Sequence, residues 1–292
     1  MFVRNNTMNI ASLVENICNK VLSENTELLW FRENLERLKP NPLPKDLYLA
    51  FGSVHRQISK SPIDIDKPDV KQLENDFPGF SNMSWSTDQI CRLAFMLAVS
   101  PEKNIELLGN LLDTGDVSEQ VALFKGLFLL ENAIDFTPKA VNGIRTNITN
   151  VFDAIALNNP FPATYFSEEA WNQMVLKAVF MDRPVFRIVE LENRKNEKLA
   201  RILQDYAHER WAAGRTVTPE LWRLTSGFVE EKLFADLQRV IRDDIPLAKE
   251  AAIKVIEESS FQPTKVWLLE QGVAGSLKSW NEIGELTLKM KQ

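Results

Sequence analysis

Apolar residues recur at three- and four-residue spacing along almost the whole chain, and no segment alternates apolar and polar residues as a half-buried strand does. This periodicity restricts the chain to helices that each bury one stripe. The runs "IASLVENICNKVL", "LLWFRENLERL" and "LPKDLYLAFGSVHRQI" all show it. With 11 glycines in 292 residues the chain is also poor in the turn chemistry that a many-stranded fold needs. The stretch 61–86 breaks the pattern. It carries Pro62, Pro68, Pro78 and Gly79 among polar residues and reads as a connector. The expected organisation is an N-terminal helical segment over 1–60, the connector over 61–86, and a helical-repeat region over 87–292.

Beyond the connector the helices come with start signals. "STDQICRLAFMLAVS" opens on an N-cap Ser or Thr, while Ser100 with Pro101, and Thr137 with Pro138, place a cap before a first-turn proline. Further helices are expected over "DVSEQVALFKGLFLLENA", "TPKAVNGIRTNITNVFDAIAL", "SEEAWNQMVLKAVFM", "NEKLARILQDYAHERWAAG", "TPELWRLTSGFVEEKLFADLQRVI" and "PLAKEAAIKVIEES". Short capped helices with short connections predict an all-α fold of stacked antiparallel helix pairs. It is either a HEAT-like α-solenoid or a multi-helical bundle, since the spacing of like segments is irregular.

Several function classes fall away on composition. No run approaches the roughly 18 uninterrupted apolar residues of a membrane span. The start "MFVRNNTMNIASLVENI" lacks the parts of a signal peptide, so a cytoplasmic location is expected. Cys18 and Cys91 sit among apolar residues and read as core, and with two histidines, His55 and His208, no Cys/His zinc pattern can be assembled. No metal site is expected. The net charge of −6 offers nothing to nucleic acid. Its distribution is uneven, because Arg183–Arg223 holds nine basic and six acidic residues. Such an island of positive potential suits an anionic ligand or partner, or is a solvated charged face.

Two regions concentrate polar chemistry. The helix expected from about Glu168 to Met181 is apolar nearly all round, with Trp171, Met174, Val175 and Ala178 on one face and Leu176 and Phe180 opposite, which predicts burial. Its Asn172, Gln173 and Lys177 then need partners, either in a structural network or in a ligand pocket. The preceding "ALNNPFPATYF" reads as a stiff, extended loop because of Pro160 and Pro162. The second region is "HERWAAGRTVTPELWR". Here Leu199, Ile202, Leu203, Tyr206 and Ala213 form the expected core stripe, and His208 points away with Arg201, Gln204, Asp205 and Trp211. Arg210 falls on the stripe and needs a carboxylate or carbonyl. Gly214 ends this helix, Thr218 caps the next, and Pro219 starts it, so that Trp222 and Arg223 return toward the same place. A tight helical hairpin thus presents both arms to one region.

"HERWA" has Ala212 where a zinc-protease helix needs a second histidine, and no P-loop, dinucleotide glycine fingerprint or nucleophile elbow is present. No cofactor is implied.

The stretches "NPFPATYFSEEAWNQMVLKAVFM" and "LARILQDYAHERWAAGRTVTPELWRL" resemble the EboA-domain family. The resemblance is strongest over 158–223, vaguer from Ser86 onward, and not visible in residues 1–60. It implies an all-helical, HEAT-like protein of bacterial gene clusters that also encode a UbiA-type prenyltransferase. Those clusters are linked to making or trafficking a small metabolite along or across the membrane. The family brings no assigned catalytic residues.

Three readings follow. The first is a non-catalytic binding or adaptor protein whose ligand, anionic or polar, meets Asn172, Gln173, Lys177, His208, Arg210, Trp211, Arg215, Trp222 and Arg223. Pathway enzymes such as the UbiA-type prenyltransferase are its candidate partners, and it sits in the cytoplasm or at the membrane through them. The second is an enzyme using His208 as acid or base with Asp205 or Glu209, and Lys177 or an arginine to stabilise charge. The third is a scaffold in which Arg210, Arg215 and Arg223 pair with Asp205, Glu209 and Glu220.

Overall fold

A computed structural model of the chain describes residues 7–22, 25–39, 42–243, 245–272 and 275–291. Residues 1–6, 23–24 and 40–41 of the expected N-terminal segment therefore lie outside the described residues. Among those described there are seventeen α-helices and four short 3-10 turns, and no strand. The chain divides into two compact units, Met1–Phe166 and Ser167–Gln292.

The first unit contains α1 (Thr7–Val21), α2 (Asn25–Leu38), α3 (Pro44–Gln57), α4 (Pro68–Asp76), α5 (Thr87–Ala98), α6 (Pro101–Thr114), α7 (Val117–Gly126), α8 (Thr137–Gly143), α9 (Thr149–Ala156) and α10 (Pro160–Tyr165). Its centre is α5, which packs on α1, α3 and α7. Ser86 and Gln89 close a capping box at its start, and Ile90, Cys91, Leu93, Phe95 and Met96 are fully buried. Arg92 is buried with them. Its Nη1 donates to Asp88 at 3.1 Å and its Nε to the Phe51 carbonyl at 3.3 Å. Cys18 on α1 and Cys91 on α5 are free and buried, as core residues are. Burial, with Cys91 beside it, pushes the Cys18 thiol well above its ordinary range.

The contacts of α1 reach past α2 and α3 to α4 and α5. The regular consecutive stacking of a solenoid is not visible in that pattern. The stretch 61–86 contains α4, and the pair Pro62 and Ser86 at its two ends forms a single antiparallel bridge. Prolines and polar residues here initiate and separate short elements as well as connecting longer ones.

The second unit contains α11 (Glu168–Phe180), α12 (Glu197–Ala212), α13 (Pro219–Arg223), α14 (Glu231–Arg242), α15 (Pro246–Glu258), α16 (Gln262–Gln271) and α17 (Trp280–Lys289). Its hub is α15, which meets α13, α14, α16 and α17. The small residues Ala248, Ala251 and Ala252 are buried there, and short side chains let several neighbours approach one helix. α14 buries Leu233, Leu237, Val240 and Ile241, a stripe at helical spacing.

Five expectations are corrected. "TPELWRLTSGFVEEKLFADLQRVI" is two helices, because α13 ends at Arg223 and a run of turns follows in which the Thr225 hydroxyl bonds back to the Trp222 carbonyl at 2.8 Å. "TPKAVNGIRTNITNVFDAIAL" likewise breaks between α8 and α9, and "DVSEQVALFKGLFLLENA" passes from α7 into 3-10 turns. "NPFPATY" is helix α10 and not an extended loop. Pro160 and Pro162 stand in its first turn, where no N–H is needed, and the Asn159 side chain caps it through the Phe161 N–H at 2.9 Å. Finally, α11 is not buried all round: Trp171, Met174, Val175 and Ala178 are buried, Leu176 is half-buried, and Phe180 is 70% exposed.

Candidate functional site

The site is built around the hairpin of α12 and α13. α12 starts at Asn196, whose side chain accepts the Leu199 N–H at 2.9 Å. The same amide exchanges two hydrogen bonds with Asn172 of α11, at 3.1 and 2.8 Å. Asn172 is therefore consumed in fastening the two helices, while Gln173 is exposed. Lys177 is half-buried, and burial lowers its pKa from the usual lysine value.

The far end of α12 closes at Gly214, whose φ of 66° lies in the left-handed region, and the Arg215 N–H reaches back to the Arg210 carbonyl at 2.8 Å. Arg210 finds the carbonyl its position requires. Its Nε and Nη2 both donate to the Thr216 carbonyl, at 3.0 and 2.9 Å, and so fix the loop into α13. Thr218 occupies the N-cap position, yet its hydroxyl makes no capping bond. That Oγ1 is buried without a partner.

A ladder of rings joins the hairpin arms. Trp222 is fully buried and stacks on Trp211 with centroids 5.8 Å apart, and Trp211 stacks on His208 at 5.6 Å. The Arg239 guanidinium of α14 lies 4.2 Å from the Trp211 ring centre. His208 is not paired with Asp205, which is exposed like Glu209. Its Nε2 lies 2.8 Å from Asp236 Oδ1, and Gln204 donates to the other oxygen of the same carboxylate at 2.5 Å. Asp236 escaped the sequence reading because it lies 28 residues from His208 on another helix. Only its place at the edge of the buried stripe of Leu233, Leu237 and Val240, three residues on from Leu233, could have pointed to it.

Arg223 leaves the hairpin face. Its Nε donates to Glu192 and its Nη1 to Asn281 at 3.0 Å. Burial works against ionisation of Glu192, but bonds from Lys195 and Arg223 prevail and hold its carboxyl below the usual range. Glu220 shows the opposite balance. It is buried, its carboxylate accepts the Phe186 N–H at 2.8 Å, and burial pushes its pKa up to about 7, outweighing that bond and the nearby Lys291 and Arg223. The mutual salt bridges expected among Arg210, Arg215, Arg223, Asp205, Glu209 and Glu220 are not what Arg210, Arg223 and Glu220 form.

Two cavities flank the hairpin loop. The larger, about 600 Å³, lies between the end of α11, the hairpin, the start of α15 and the end of α17. Its apolar wall includes Val179, Phe180, Val217, Ile245, Leu247 and Met290, and its polar wall includes Tyr206, Arg210, Thr218 and the ion pair of Asp182 with Lys291. The smaller, about 220 Å³, is lined by Trp211, Arg215, Trp222, Arg239 and Asp243 among others. Thr216, Val217, Ile245 and Ala248 border both. Of the residues expected from sequence, Arg210 lines the first cavity and Trp211, Arg215 and Trp222 the second. Asn172, Gln173, Lys177, His208 and Arg223 line neither. The walls from α15 and α17 went unread, since their residues carry no motif and acquire meaning only from where the helices pack.

Among the described residues no three His, Cys, Asp or Glu side chains gather as a metal site, and no helix is long and apolar enough to cross a membrane.

A family model described as "Metabolite traffic protein EboA" matches residues 10–226. The match reaches well before the 158–223 stretch and takes in helices within residues 1–60, where the sequence motifs carry no resemblance. It includes the hairpin and stops before α14, α15 and α17, so it covers one side of the larger cavity and not the other. No curated protein and no solved structure matches the chain.

Proposed function

The chain belongs to the EboA family, and on that premise we propose that it is a non-catalytic binding protein that holds a small metabolite in the larger cavity. The observation that carries the reading is the Thr218 hydroxyl, buried without a partner in the wall of a largely apolar space of about 600 Å³. Metabolite-sized ligands occupy cavities of roughly 300–1,000 Å³ with a few polar groups to orient them. A buried hydroxyl left unpaired costs about 1–3 kcal/mol, which a ligand polar atom would recover. The exposed Phe180 and Met290 give this cavity an apolar lip, suited to passing a ligand with a largely apolar body, such as a prenyl group, to a pathway enzyme. A UbiA-type prenyltransferase is one such recipient.

The acid/base alternative finds less support. His208 lines neither cavity, and both oxygens of its carboxylate partner are engaged. Arg210 is committed to the loop and Lys291 to Asp182.

Native mass spectrometry of the protein taken from its own organism tests this reading. The wild type is expected to carry a small-molecule adduct that weakens in Thr218→Val, which keeps the side-chain shape, and disappears in Ala248→Leu, which fills the cavity. A bare wild-type chain, or one bound only to another protein, would overturn it in favour of a scaffold.

A further inference from the structure

We infer that the smaller cavity is an oxyanion subsite, and that the metabolite is an apolar body ending in a phosphate or carboxylate. This rests on the reading of the larger cavity as the ligand site.

Two guanidinium groups from separate elements line the 220 Å³ space, Arg215 from the hairpin loop and Arg239 from α14. Arg239 is held by its stacking on Trp211. Its ion pair with Asp243, at 3.9 Å from Nε, is at the outer limit of such contacts and leaves most of the guanidinium fork, which is 53% exposed, open to solvent or a ligand. Trp222 supplies the independent observation: its side chain is fully buried in the same wall, and its indole N–H has no partner. An indole nitrogen only donates, and so does a guanidinium. Apart from Asp243, the charged and orphaned groups here are therefore donors and cations, the complement of an oxyanion.

The location sets the ligand class. Thr216, Val217, Ile245 and Ala248 border both spaces, so the two adjoin and a head group bound between Arg215 and Arg239 lies next to the apolar cavity. Arginine recognises phosphate and carboxylate with paired hydrogen bonds, and the larger cavity accepts what is attached.

Isothermal titration of the full-length protein with dodecyl phosphate, dodecanol and inorganic phosphate separates the possibilities. Dodecyl phosphate is expected to bind about tenfold tighter than dodecanol or more, as one charge-assisted contact provides. That advantage should shrink on raising the salt concentration. Arg215→Gln, at an exposed position, and the double variant with Arg239→Gln should remove it while leaving dodecanol affinity unchanged. Thr218→Val should weaken both alkyl ligands alike. Equal affinity for dodecyl phosphate and dodecanol would overturn the subsite and leave the larger cavity's role standing. Inorganic phosphate binding as tightly as dodecyl phosphate would make the small cavity a site for free phosphate and overturn the assignment of a head group. If neither alkyl ligand binds, both readings fall.

Discussion

Glu220 shows how one side chain can set the pH response of this protein. Its carboxyl is buried at the start of α13, and burial raises its pKa to about 7 from the ordinary 4.5. The folded chain therefore holds this proton more tightly than the unfolded chain does. Below about pH 4.5 both states are protonated and its contribution to stability is fully present. As pH rises from there to about 7, the unfolded state ionises first and stability falls. Above 7 the loss is complete, at about 3 kcal/mol for a shift of this size. Glu220→Gln keeps an acceptor for the Phe186 N–H and cannot ionise. Urea melts at pH 5 and 8 should find the variant more stable than the wild type at pH 8, with a shallower fall between the two. Parallel wild-type and variant profiles would mean that the carboxyl ionises in the fold as freely as in water. His208 and Arg210, by contrast, drew notice in the sequence for their type, and their partners in the fold, Asp236 and the Thr216 carbonyl, make them fixtures of the hairpin.

At the scale of elements, the cavity depends on how α17 is seated. Gly284 faces the 3-10 turn Val185–Arg187, and a Cβ added there would lie 2.6–2.8 Å from atoms of Phe186. Gly284→Ala must push the helix or the ring aside, at a cost of about 1–3 kcal/mol for overpacking. Because α17 and its end carry Thr287, Met290 and Lys291 into the larger cavity, the substitution should lower the melting temperature and weaken alkyl-ligand affinity together. Loss of stability with unchanged affinity would show that the far wall contributes nothing to binding. Nothing in the glycine's sequence neighbourhood, "WNEIGELTLK", marks it as a contact point. Helix existence was legible from apolar spacing and caps, as at Ser86 and Ser100. Helix breaks inside long periodic runs were not, because the stripe continues in phase across Leu224–Glu230 while hydroxyl back-bonding and turns interrupt the backbone.

At the scale of the molecule, both cavities lie within the second compact unit, Ser167–Gln292. Hydrogen exchange with dodecyl phosphate bound is expected to slow in 179–182, 206–222, 239–243, 245–248 and 287–291, and to leave Met1–Phe166 unchanged. Protection spread through the first unit would place the ligand elsewhere. The family match, by contrast, runs from the first unit into the second and stops short of α15 and α17.

The sequence by itself determined that this chain is all-helical, that it belongs with the EboA proteins, and that charged and aromatic residues crowd the α12–α13 hairpin. Those are local properties, written in periodicity, caps and residue type within a few turns of chain. Only the tertiary structure decided which polar groups are spent and which are left over. Asn172 is used up by Asn196, Arg223 by Glu192 and Asn281, while Thr218 and Trp222 keep buried donors without partners. A hydrogen-bonding group's availability depends on what other helices bring within 3 Å of it, and a cavity is the space that packing fails to fill.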